Sequence, residues 1–319
     1  MLIRRVAAAT VIALAAMTLT VVQASATTGA TLQCGVNPTT DVRLDADLTC
    51  ASSFVIGSSA DTTPLSIDLG GHTLTVTTPD AACRFGQVGP MCAILAVGPI
   101  RLRNGVVQGS VGLASVRAFS NVRGVTVHGD LWSSGVGARL VANTIWNGSI
   151  HVFSGQTTIA DNFIGTGHIS FSDLDSQMNI VIDHNLIVAS PTDGIAGVLG
   201  QGGEFADDVT GEIHGNTVTR SAGAGISLTG ALTNLGVFGL IRNRVLGSGA
   251  DGIRIVGHAS PPTPYLGGPV TLTGNRVDGA VGTAIDAPWV DNLSGTGIVD
   301  GGGNVARRAV VPCIGVVCY

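Results

Sequence analysis

The chain has 319 residues, 46 of them glycine, and its 16 basic residues, all arginine, face 21 acids for a formal net charge of −5. That balance excludes a nucleic-acid partner, which needs a basic footprint, and the absence of lysine excludes chemistry built on a lysine base. Glycine scattered without a triplet period excludes a collagen-like chain and fits many tight turns.

Residues 1–26 read as a secretory signal peptide: Arg4-Arg5 at the start, an apolar run from Val6 to Val22, and the small-residue cleavage site Ala24-Ser25-Ala26. The expectation is a secreted, extracellular protein that keeps no membrane anchor after cleavage. Six cysteines in such a chain favour disulfides over metal sites. Sequence allows about 15 connectivities, and proximity along the chain selects Cys34–Cys50, Cys83–Cys92 and Cys313–Cys318. All six are expected outside the regular repeats, pinning the two ends.

Residues 27–64 hold short apolar pieces around Cys34 and Cys50 and read as an N-terminal cap. Leu65–Val76 reads as a first full turn and Ile94–Gly109 as a second. Val111–Gly129 and Leu131–Gly148 continue the array, and clearer units begin at Ile150, Ile169, Ile195, Ile226, Ile253 and Ile285. The array is expected to run over 65–310, and residues 311–319 form a disulfide-bearing tail.

Within the array one pattern recurs. An apolar residue stands three positions before an asparagine and another two positions after it, as in Leu140-Asn143-Ile145 and Ile182-Asn185-Ile187. The same spacing surrounds Asn162, Asn216, Asn243 and Asn275, with degenerate copies at Asn104-Val106 and Gly303-Asn304. Intervals within the roughly 20–50-residue range mean a repeat array. No window sustains a helical period; the segments are short, β-branched and punctuated by glycine. The reading is an all-β parallel β-helix that buries Ile, Leu and Val and stacks the asparagines at one corner. There each amide is expected to donate to the next, with the asparagine itself accepting the left-handed backbone of the corner. About nine turns, at about 4.8 Å each, give a rod on the order of 40 Å long.

IDLGGHTLTV at 67–76, the repeated I-x-x-N-x-I units and the cysteine-bearing tail resemble the secreted right-handed parallel β-helix proteins of the pectate-lyase-like superfamily. The resemblance covers most of the chain after residue 26. It implies a single-stranded right-handed helix and an extracellular carbohydrate partner, on an architecture that serves many chemistries. No catalytic set of the superfamily is intact. Val181-Ile182-Asp183-His184 is similar to the W-I-D-H segment of pectate lyases without its tryptophan, and Asp207-Asp208 matches one element of the polygalacturonase set. Calcium stays open as a cofactor, although no acidic cluster has its ligand spacing.

Strand alternation shows which side chains share the surface. If Leu131 and the isoleucines at 150, 169, 226, 253 and 285 point inward, the residues after them form an outward column: Trp132, His151, Ser170, Ala196, Ser227, Arg254, Asp286. Arg254 beside Asp286 reads first as a surface ion pair. Loops 200–211, with Asp207 and Asp208, 257–268, with Tyr265, and 288–295, with Trp289, should rise beside this column. Rings there could stack on sugars or could simply close the loops. The carbohydrate-binding candidates are therefore Trp132, His151, Tyr265 and Trp289, and the catalytic candidates Arg254, Asp286, Asp207 and Asp208. At the asparagine corner, Asp161 with His184 and Asp183 with His214 should share columns, as an acid/base pair, a metal site or plain turn chemistry. Three readings stay open: a carbohydrate-binding protein, a polysaccharide lyase or glycoside hydrolase acting on a uronic-acid polymer, and a structural or adhesive scaffold. The oligomeric state is open.

Overall fold

A computed structural model of the chain describes residues 30–83, 90–153, 155–172, 178–199, 209–230, 235–257, 269–288 and 297–319. The signal-peptide residues 1–26 therefore lie outside the described residues, as do Asp207, Asp208, Tyr265 and Trp289 with most of their loops. Among the described residues there is no helix, and none is long and apolar enough to cross a membrane. Strands fall into one 21-stranded and one 12-stranded sheet, and nearly every pairing is parallel.

Each short segment pairs with its own copy in the next repeat, the arrangement of a β-solenoid. In the 12-stranded sheet Leu131 pairs with Ile150, Ile150 with Ile169, and the column continues through Ile195, Ile226, Ile253 and Ile285. All seven are 0% exposed. The 21-stranded sheet carries two further inward columns. One runs Val122, Leu140, Ile159, Ile182, Ile213, Leu240, Leu272, and the other Val127, Ile145, Ile164, Ile187, Val218, Val245, Val277. Burying a branched side chain this size contributes roughly 1.5–3 kcal/mol, so identical apolar positions repeated in every coil give one continuous core. Where Phe171 stacks on Phe238 inside it, at 6.2 Å between ring centroids, Gly197 supplies the space: a Cβ there would strike the Phe171 ring.

The asparagines do stack. Asn143, Asn162, Asn185, Asn216, Asn243, Asn275 and Asn304 are all buried. From one coil to the next, Nδ2 donates to the following Oδ1 at 3.0, 2.9, 2.9, 3.0, 3.1 and 3.2 Å. The second Nδ2 proton goes to a backbone carbonyl, as Asn162 to Leu140 O at 2.9 Å. From Asn162 on, each Oδ1 also accepts the backbone N–H of the preceding asparagine, as Asn185 Oδ1 does from Asn162 N at 3.0 Å. Asn304 belongs to the ladder, but Asn104 does not. Asn104 holds the corner position just before it, and Gly105 and Val125 fill the ladder position in the first coils.

One expectation needs correction. The left-handed residue is not the ladder asparagine but the one before it: Ala142, Asp161, His184 and Arg242, with glycine at 124, 215, 274 and 303. An asparagine in the left-handed region would turn its amide away from the stack. The adjacent position takes the strain instead, while the asparagine supplies the hydrogen bonds.

The ends also differ from the expected boundaries. Ala30–Thr31, Val42–Arg43, Leu48–Cys50 and Phe54–Ile56 already pair in parallel with later strands, so the coil starts inside the stretch read as a cap. Val311–Ile314 pairs with Thr283–Asp286 inside the stretch read as a tail. Disulfides join Cys34 to Cys50, Cys83 to Cys92 and Cys313 to Cys318. Cys50, Cys92 and Cys313 sit on sheet strands, so the bridges staple coils of the array instead of lying outside it. Three disulfides fit an oxidising compartment.

Asn185→Ala removes the acceptor of two Asn162 donors and the donor to Ile159 O. Stranded buried polar groups make the expected loss about 3–5 kcal/mol. Asn185→Asp should lose a comparable amount at neutral pH and recover part of it in acid, because burial raises the carboxyl's pKa and its protonated form is the one the core accepts. Urea unfolding of both variants across pH checks this.

Candidate functional site

The outward column forms as read. Trp132 pairs with His151, His151 with Ser170, and the register continues through Ala196, Ser227, Arg254 and Asp286. Small residues at 196 and 227 leave the middle of this track low, between an aromatic end and a charged end.

At the aromatic end Trp132 is half-buried and stacks on His151 at 4.1 Å and 28°. It also stacks on Phe153, at 5.5 Å and 9°. His151 Nδ1 lies 2.7 Å from Ser170 Oγ, and its Nε2 lies 3.8 Å from Asp130 Oδ1. Asp130 Oδ1 accepts the Ser149 N–H at 2.8 Å, and Ser149 Oγ lies 3.0 Å from His168 Nδ1. The His151 and His168 rings meet edge to face at 5.3 Å. Burial works to raise the Asp130 carboxyl, but the hydrogen bonds from His151 and Ser149 and the nearby imidazoles outweigh it, and the carboxyl sits below its ordinary range. Burial lowers the His168 imidazole and the neighbouring His151 adds to that, against the pull of Asp130 and Asp193. The cluster thus holds an anionic carboxylate, a neutral imidazole and two hydroxyls around one indole.

Asp130, Ser149, His168 and Phe153 were not anticipated. Asp130, Ser149 and His168 stand immediately before Leu131, Ile150 and Ile169, in the turns that lead into those strands, where strand alternation gives no signal.

At the charged end, Arg254 and Asp286 are register neighbours, yet the expected ion pair between them does not close. Arg254 Nε lies 3.9 Å from Asp251 Oδ2 instead. Asp251 is fixed by its Oδ1, which accepts the Thr283 N–H at 2.7 Å, and Asp193 accepts the Ala224 N–H at 2.7 Å in the same way. Both are turn-capping carboxylates, each followed by a glycine in the sequence. Burial, and then the Asp251 charge, hold the Asp286 carboxyl above its ordinary range despite Arg254.

Two features lie on the other sheet. A groove of about 530 Å³ is lined by Arg101, Asn121, Arg139, Gln156, Thr158 and Asn179 among others. Arg101, Asn121, Arg139 and Thr158 form one register column, and among the described residues neither arginine has an ion-pair partner. At the asparagine corner, Asp183 pairs with His214 as expected, and His184 joins them. These three are the one group of metal-type donors among the described residues.

Comparison with family models, with curated proteins and with solved structures returned no match.

Asp286 gives a signed pH test. A carboxyl raised in the folded chain contributes stability that is complete below the unfolded pKa and is lost as pH rises through the folded one. Asp286→Asn should therefore be more stable than the parent near pH ~7, with solvent screening keeping the gain under about 1 kcal/mol. The two should unfold alike near pH ~3, below the unfolded value of about 3.9. Melting curves at the two pH values check the sign.

Proposed function

We propose that this chain is a secreted β-helix that binds extracellular carbohydrate along the outward face of its 12-stranded sheet. The winding is right-handed, of about nine turns over the region expected from the repeats, as connections between parallel strands almost always are, and the fold is of the pectate-lyase-like kind. The observation that carries the reading is the Trp132–His151 stack, with Phe153 stacked on the same indole, Ser170 within hydrogen-bond distance of His151 and the Asp130 carboxylate 3.8 Å from it. Carbohydrate recognition needs this combination, an aromatic plane for the C–H face of a sugar ring and fixed polar groups for its hydroxyls. The low track over Ala196 and Ser227 leaves room for a chain running from that platform toward Arg254 and Asp286. Tyr265 and Trp289, outside the described residues, are the further stacking candidates of this reading.

A second reading, cleavage of the bound polymer, is favoured by one observation. Asp286 is a carboxyl whose pKa is held up by burial and by the nearby Asp251 charge, the condition for a proton donor at a glycosidic oxygen. Asp207 and Asp208 are then its candidate partners and Arg254 the group that meets a uronate.

The test is a panel of neutral and uronic-acid polysaccharides, with binding measured by affinity electrophoresis and products by reducing ends and unsaturated uronates, with and without calcium. Binding should weaken about tenfold in Trp132→Ala, the loss of one stacking contact of about 1.4 kcal/mol. Binding that survives Trp132→Ala and His151→Ala unchanged puts the site elsewhere, and no binding across the panel leaves the scaffold reading.

A further inference from the structure

Asp183, His184 and His214 come together at the asparagine corner, on the 21-stranded sheet and not the 12-stranded one that carries the proposed carbohydrate face. His184 Nδ1 lies 2.6 Å and His214 Nδ1 2.9 Å from the same oxygen, Asp183 Oδ1. The two imidazoles meet edge to face at 5.1 Å. Glu212, two residues before His214 and so on the same outward side of its strand, brings a second carboxylate to 4.0 Å from His214 Nδ1.

The local backbone accounts for this convergence. Every coil takes up the left-handed conformation just before its ladder asparagine, and glycine is the strain-free choice there, as at 124, 215, 274 and 303. This coil uses His184, at φ 51°. One coil on, the equivalent position is Gly215, and a Cβ there would come within 2.9 Å of His184 Nε2. The imidazole thus lies over the one neighbour that leaves it space, and His214, next to that glycine, closes the other side. Asparagines on the two coils, Asn185 and Asn216, lock the register between them at 2.9 Å.

We propose that Asp183, His184 and His214 bind a divalent transition-metal ion of the zinc type, clasping two adjacent coils at the ladder corner. The donor set is two imidazole nitrogens and a carboxylate oxygen, which suits zinc and its neighbours and not calcium, which takes six to eight oxygens. All three donor atoms lie within 4.8 Å of one another. Ligand distances of about 2.0–2.1 Å put tetrahedral donors a little over 3 Å apart, so small side-chain rotations separate the two nitrogens from the oxygen and admit the ion. Both nitrogens must be unprotonated to ligate, and Glu212 or water completes the coordination. The proposal does not rest on the carbohydrate reading, because no residue is shared between the two sites.

The experiment uses the full chain without a histidine tag, stripped with chelator and titrated with Co²⁺ and then Zn²⁺. Cobalt should give the intense visible bands of low-coordinate nitrogen and oxygen ligation. Zinc should displace it and raise the melting temperature, and calcium should do neither. His184→Ala and His214→Ala should each weaken cobalt and zinc binding at least about tenfold, while His128→Ala, on an exposed histidine elsewhere, should bind as the parent does. If His214→Ala fails to fold, His184→Ala carries the test, since that side chain is 56% exposed. Absence of the cobalt bands, or zinc affinity unchanged in the His184→Ala variant, overturns the proposal and leaves a hydrogen-bonded corner only.

Discussion

The structure depends on a polar interaction inside an apolar core. From Asn162 on, each ladder asparagine uses both amide protons and accepts two N–H groups, so a buried side chain that would otherwise destabilise the core is fully satisfied. Net gains of about 1 kcal/mol per hydrogen bond would not make this decisive. The asymmetry does: a coil that slipped by one residue would leave an amide and its partners unpaired in a dry interior, at about 1–3 kcal/mol for each group. Ile, Leu and Val hold the coils together without preference among registers, and the asparagines select one.

Register is what passes from the corner to the surface. Because Asn143, Asn162 and Asn185 align, so do Leu131, Ile150 and Ile169, and with them Trp132, His151 and Ser170 on the outer face. The same alignment sets His214 beside Asp183. Side chains 19 and 31 residues apart in the chain come within hydrogen-bond distance because the ladder fixes every outward column at once. Loop length then varies between coils without disturbing the columns, as the different spacings between ladder asparagines show.

The array was legible in the sequence where the asparagine marks each coil. From Asn143 to Asn304 the strand phase, the inward isoleucines and the outward column follow from counting. Toward the N-terminus the marker disappears: Val125 and Gly105 occupy the ladder position, and strands of two or three residues near Val42 and Phe54 are too short to show a period. Those strands therefore leave no mark of the coil in the sequence. The corner residue is hidden for a related reason: asparagine's general tolerance of left-handed backbone points to one residue for two roles that the structure divides between neighbours.

Site geometry was legible only as far as alternation reaches. Trp132 beside His151 follows from period two, whereas Asp130 and Ser149 stand in the turns before their strands, where period two does not reach. Which carboxylate Arg254 meets does not follow, because Asp251 and Asp286 both lie within reach and the choice depends on Asp251 being anchored by the Thr283 N–H. Nor does the convergence of His184 on Asp183, which comes from a left-handed residue lying over a glycine one coil away.

Hydrogen exchange of the asparagine carboxamides tests the account most directly. In an NMR spectrum of the folded protein, the side-chain amide protons of Asn162, Asn185, Asn216 and Asn243 should persist in D₂O as long as the most protected backbone amides, because only opening of the stack releases them. Exchange of those protons as fast as that of the exposed Asn104 would mean that the amides do not form a buried relay, and the register that aligns both sites would lose its physical basis.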